Sequence, residues 1–263
     1  MALDYSLTTR EVIFAYLFGP PRLISRQEAM RFHDALCKAL RVDDLLFKYQ
    51  PVELPKPQGR GFACLFERKE GMGGFSVTLE YSGIPAQPLR LLMSYTHPAS
   101  MPHASEWFDE AAAAFFGGTV DPPTWQRVVA EVRLRAQCST KSRDGLAFLR
   151  HHVLKLPEPW VRSLGQPLFF ASAKIELAPS NAGDDPLALP RRELLIEVLR
   201  EDPTSIYMEL MSNWSAFPDP AGPVHALNIA QLRSILDKPS AYVDEASNYL
   251  ARSVSELQKV THE

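Results

Sequence analysis

Apolar and polar side chains alternate most clearly along residues 128–138. Val128, Ala130, Val132, Leu134, Ala136 and Cys138 are separated by Val129, Glu131, Arg133, Arg135 and Gln137. A period of two predicts a strand with one face in a core and the other in water. Residues 75–82 repeat the pattern, with Phe75, Val77, Leu79 and Tyr81 set between Ser76, Thr78, Glu80 and Ser82. In contrast, EVIFAYLF at 11–18 is apolar at nearly every position, which predicts a strand in the middle of a sheet. Further strands are predicted at 45–54, 61–68, 89–96, 169–177, 192–200 and 205–212. Gly19-Pro20-Pro21 ends the first strand, and the GMGG stretch at 71–74 marks a hairpin turn.

Helical spacing appears at 26–40, where Met30, His33, Cys37 and Leu40 recur with Phe32 and Leu36 beside them. Ser25 followed by Glu28 is a capping-box signature. A second helix is predicted at about 104–116, carrying Trp107, Phe108, Ala111, Phe115 and Phe116 and closed by Gly117-Gly118. A third spans 144–156, with Leu146, Leu149, Val153 and Leu156 on one face and Pro157 at its end. A long helix closes the chain from about Ser240 to Gln258.

The order of elements therefore runs strand, helix, three or four strands, helix, and then repeats. Two helix starts also match, Ser105-Glu-Trp-Phe-Asp-Glu-Ala against Ser240-Ala-Tyr-Val-Asp-Glu-Ala. The expectation is an α+β protein of two tandem units, residues 1–118 and 119–263. Together they would build one wide, curved antiparallel sheet with helices on one face. That architecture is analogous to the TATA-binding protein and to helix-grip folds, an analogy of shape which does not fix function.

Composition narrows the function class. The 263 residues are 46% hydrophobic and 22% charged, with a formal net charge of −3, so an ordinary core can form. No basic stripe is present to neutralise phosphates, which argues against nucleic acid. No apolar run approaches the roughly 18–20 residues needed to span a bilayer, and the first residues lack the pattern of a signal peptide. Three cysteines without a CxxC pair point to a reducing compartment, the cytoplasm.

Candidate chemistry is sparse, and no catalytic residue, metal site or cofactor is predicted. His97 and His103 lack a third ligand, and the adjacent His151 and His152 diverge on a helix by about 100°. His33 reads as a packed, hydrogen-bonded residue at the core edge. Cys37, Cys64 and Cys138 fall on apolar faces, where thiols are inert. Gly59-Arg-Gly61 and the glycines at 71–74 flank a strand and do not open a helix onto a phosphate. Asp109-Glu110 and Asp244-Glu245 sit at helix starts, where the helix dipole accounts for them, and Asp184-Asp185 falls in a polar loop.

The remaining candidate is the sheet face that helices leave open. It is expected to carry Arg133, Arg135, Glu80, Arg90, Lys174, Glu197, Glu209 and Tyr207, with Thr78, Thr96, Glu176, Leu92, Leu195 and Met211 among them. Such a mixed surface suits a protein, a peptide or a small polar molecule. A non-enzymatic binding or regulatory role, using this face or the groove between the two units, is the leading expectation. A carrier holding an apolar small ligand or cofactor between sheet and closing helix, and an enzyme assembled from distant loops, are the alternatives.

Overall fold

Residues 7–53, 60–84, 86–118, 127–139, 144–163, 165, 170–177, 190–199, 201–216 and 238–260 are described by a computed structural model. The chain runs β1 (Leu7–Gly19), α1 (Arg26–Leu40), β2 (Leu46–Glu53), β3 (Arg60–Glu70), β4 (Gly73–Tyr81), β5 (Leu89–Thr96) and α2 (Met101–Gly118). It continues with β6 (Arg127–Ser139), α3 (Gly145–Phe148, extended by a π turn over Leu149–Val153) and α4 (Glu158–Ser163). Then come β7 (Ser172–Leu177), β8 (Arg191–Val198), β9 (Ser205–Ala216) and α5 (Pro239–Val260). The strands form one open antiparallel sheet in the order β2-β3-β4-β5-β1-β6-β9-β8-β7.

The apolar β1 does lie at the centre, between β5 and β6, with Phe14 opposite Met93 on one side and Val132 on the other. Val12, Phe14, Tyr16 and Phe18 are fully buried. They share the face on which α1, α2 and α5 pack. Phe18 stacks on Phe115 at 5.9 Å, and Phe14 meets Phe108 at 6.5 Å and Tyr242 at 6.1 Å. Phe32 of α1 meets Phe66 of β3 edge-on at 5.0 Å. Each such side chain removed from water contributes about 1.5–3 kcal/mol, so this layer fixes which face is covered. Between the sheet and α5, Trp214 and Tyr242 fill the space with rings 5.0 Å apart.

Local signals explain the helix ends. Ser25 Oγ accepts from the Glu28 N–H at 3.2 Å, and Glu28 accepts from the Ser25 N–H at 2.8 Å. At the other end Arg41 adopts φ 55° and donates its N–H to the Cys37 and Lys38 carbonyls. The second helix begins at Met101, three residues before its predicted start, which brings His103 into its first turn. The third predicted helix is the element that differs most. Asp144 caps it, accepting from the Ala147 N–H at 2.9 Å, but one α turn later the backbone widens into the π turn. Gly145 lies against β9: its N–H donates to the Pro203 carbonyl at 2.8 Å, and a Cβ there would stand 2.6 Å from the Ser205 oxygen. Residue 169, Gly59 and Asp184-Asp185 lie outside the described residues.

The pairing has a regular plan. In each run of the chain the first strand pairs with the last, β1 with β5 and β6 with β9, and the two first strands pair with each other. The helices α2 and α5 pack together, and the Ser240 N–H donates to Asp109 Oδ1 at 2.8 Å. Among the described residues no helix is long and apolar enough to cross a membrane.

Candidate binding face

Alternation in β6 sends Val132, Leu134 and Ala136 into the core, so Glu131, Arg133 and Arg135 project from the face opposite α1, α2 and α5. Register decides what they meet. Arg135 stands between Glu11 of β1 and Glu209 of β9, while Glu131 lies opposite Asn213. Arg135 donates to Glu11 at 2.6 Å and to Glu209 at 2.9 Å. Arg133 donates to Glu131 at 3.2 Å and lies 3.7 Å from Glu209. Ser94 and Tyr207 donate hydroxyls to Glu11 and Glu209 at 2.8 and 2.6 Å.

This cluster of three carboxylates and two guanidiniums is only partly wet. The side chains of Glu11, Glu131 and Glu209 are 19%, 19% and 21% exposed. Burial works against the charge on Arg135, but its hydrogen bonds to Glu11 and Glu209 outweigh this and raise its pKa. Burial likewise opposes the Glu209 anion, yet the Tyr207 hydroxyl and the two arginines hold its carboxyl below the ordinary range. The Tyr207 phenol is pushed up, first by burial and then by donating to Glu209. Two buried polar atoms in the cluster have no hydrogen-bond partner among the described residues: the donor Arg133 Nε and the acceptor Asn213 Oδ1.

The eight residues expected on the open face all lie there, but the structure brings only some together. Arg133, Arg135, Glu209 and Tyr207 form the centre, with Glu197 opposite Tyr207 on β8. Glu80 and Arg90 form a separate pair at 2.8 Å, in the wall of a cavity of about 330 Å³ that Val52, Ala63 and Gln87 also line. Lys174 lies at the β7 edge, 2.9 Å from Glu193 and 3.5 Å from Glu176. Sequence reading missed Glu11, Glu131 and Asn213 as members of the site. Glu11 was legible only as the one acid at the head of an apolar strand.

Other candidates are accounted for by packing. His33 Nε2 is 3.0 Å from the Leu45 carbonyl and the ring stacks near Phe47 and Phe66. Cys37 Sγ lies 3.6 Å from the same nitrogen. The Leu45 carbonyl at 3.0 Å competes with the thiol for that nitrogen. Burial and then Asp34, Asp43 and Asp44 raise the Cys37 pKa, and burial pushes Cys64 up to about 12 and Cys138 to about 11. His103 packs between Tyr95 and Trp107, 3.8 Å from Glu70. Among the described residues no three His, Cys, Asp or Glu side chains gather as a metal site. Compared with models of known families, with curated proteins and with solved structures, the chain matches none.

Proposed function

We propose that this protein is a non-enzymatic binding module that receives a peptide segment of a partner protein on its open sheet face. Glu11, Glu131, Arg133, Arg135, Tyr207, Glu209 and Asn213 form the receiving surface. The observation that carries this reading is the partly wet cluster of both charge signs, in which Asn213 Oδ1 has no hydrogen-bond partner among the described residues and Arg133 Nε has only the Glu209 carboxylate at 3.7 Å. Buried polar atoms without partners are costly, and a peptide backbone brings both an acceptor and a donor. The excess carboxylate and the remaining guanidinium N–H groups would read charged side chains on either flank. Charge of both signs disfavours nucleic acid.

The wider expectations stand as part of the same proposal. The mirrored pairing plan and the Ser-x-x-x-Asp-Glu-Ala segments shared by α2 and α5 support two duplicated units, meeting at β1 and β6 as in a TATA-binding-protein-like sheet. Three free thiols support a reducing, cytoplasmic setting.

The test is an array of mixed-charge peptides probed with labelled wild-type protein and with R133Q and N213L. Peptides selected by the wild type should lose about tenfold or more in affinity for both variants, the effect expected when one charged or neutral hydrogen-bond partner is removed. Selected peptides that bind both variants equally would overturn the assignment of the face.

A further inference from the structure

The strand β7 forms one border of the sheet, hydrogen-bonded to β8 alone among the described strands. Edges of this kind leave a row of backbone donors and acceptors open to another chain. Which residues present that row follows from one bond. The Val198 N–H donates to the Ala171 carbonyl, and residue 171 continues the register that sets Ser172 opposite Glu197. Backbone groups alternate in direction along an antiparallel strand. Those of Ala173, Ile175 and Leu177 therefore face β8, and those of Ser172, Lys174 and Glu176 face away.

We propose that β7 is a homodimer interface, on which a second copy of this chain pairs its own β7 antiparallel about a two-fold axis at Ile175. Five registers, centred on residues 172 to 176, place outward-facing residues opposite one another; centring on 172 or 173 sets Ser172 against Ser172 or against Lys174 and brings no opposite charges together. Centring on residue 174 sets Lys174 against Lys174, and centring on 176 sets Glu176 against Glu176, both repulsive. Centring on Ile175 sets Lys174 of each copy opposite Glu176 of the other, twice. A two-fold axis normal to the sheet keeps like faces together, so both ion pairs fall on the open face beside Glu193 and Arg191. On the opposite face Ile175 meets Ile175, and Ala173 meets Leu177. Ile175 and Leu177 are 41% and 37% exposed, a high exposure for aliphatic side chains facing the side on which the core lies. Charge order, backbone direction and exposed apolar surface thus favour the same partner and the same register.

Sedimentation velocity on the full chain tests this across a concentration series. The wild type should shift toward twice the 29.5 kDa monomer mass. K174E and E176K should each weaken association about tenfold or more, because each places two like-charge pairs across the axis. The doubly exchanged K174E/E176K should recover association, since opposite signs again face each other. K174P supplies a second check: the Lys174 N–H faces away from β8, so proline there removes an interface donor and no bond of the β7–β8 ladder. It should be folded, by far-UV circular dichroism, and monomeric. A wild type that stays monomeric at high micromolar concentration would overturn the proposal. So would a dimer indifferent to the single reversals and to K174P.

Discussion

Arg135 is held from two sides, by Glu11 on one neighbouring strand and Glu209 on the other. An arginine pair free in solvent could be removed at little cost. Here R133A/R135A leaves three carboxylates, each about four-fifths covered, without a counter-charge. The expected loss is roughly 1–3 kcal/mol by urea unfolding, below the range for fully buried pairs because water still reaches the cluster. Glu209 adds a dependence on pH. Its folded-state pKa is lowered, so the native protein binds fewer protons than the unfolded chain. Its contribution is fully present above the unfolded value of about 4.3 and is lost as pH falls through the lower folded value. The stability gap between wild type and E209Q should therefore shrink on acidification from pH 6 to pH 3. A gap constant over that range would show that Glu209 titrates normally. The thiols give a third residue-level expectation. With Cys64 and Cys138 in the core and Cys37 half-buried, a thiol reagent at pH 8 should label Cys37 first and the other two only as the protein opens.

At the level of elements, β1 governs the core, because all four of its inward aromatic and aliphatic side chains are fully buried between helices and neighbouring strands. F14A should cost about 3–5 kcal/mol. The β3–β4 hairpin has a different constraint: a Cβ on Gly73 would lie 2.1 Å from the Thr96 carbonyl oxygen. G73A should destabilise by more than 1 kcal/mol, whereas G71A meets no atom and pays only for its left-handed backbone, φ 57°. Elements whose period matches their burial were legible from the chain alone. Residues 128–138 announced a strand with one wet face, and Ser25 with Glu28 announced the first helix. The π turn after α3 was not legible. Leu146, Leu149 and Val153 have helical spacing, which an α-helix and a π turn share too closely for the pattern to separate them, and the contact of Gly145 with Pro203 and Ser205 is remote in sequence. The centre of the binding face was half legible for the same reason. Alternation identified Arg133, Arg135, Tyr207 and Glu209, but only strand register shows that Glu11 and Asn213 stand beside them.

For the whole molecule, the decisive pairing is β1 with β6, which joins the two runs of the chain into one sheet over a single hydrophobic core. Unfolding should accordingly be one cooperative transition. Tryptophan fluorescence, to which Trp107 contributes from the first run and Trp125, Trp160 and Trp214 from the second, should follow the same urea curve as far-UV circular dichroism. Two separated transitions would mean that the runs are independent units. Among the described residues, helices cover one face of the sheet, and the proposed function assigns the other to a partner. Methyl NMR of the labelled protein, titrated with a mixed-charge peptide selected on the array, tests that division most directly. Ile13 and Met211 lie on the open face, while Met93 and Met208 are fully buried beneath the helices. Shifts are expected at Ile13 and Met211 with Met93 and Met208 unmoved, whereas shifts confined to Met30 and the leucine methyls of the helices would contradict a binding role for the open sheet.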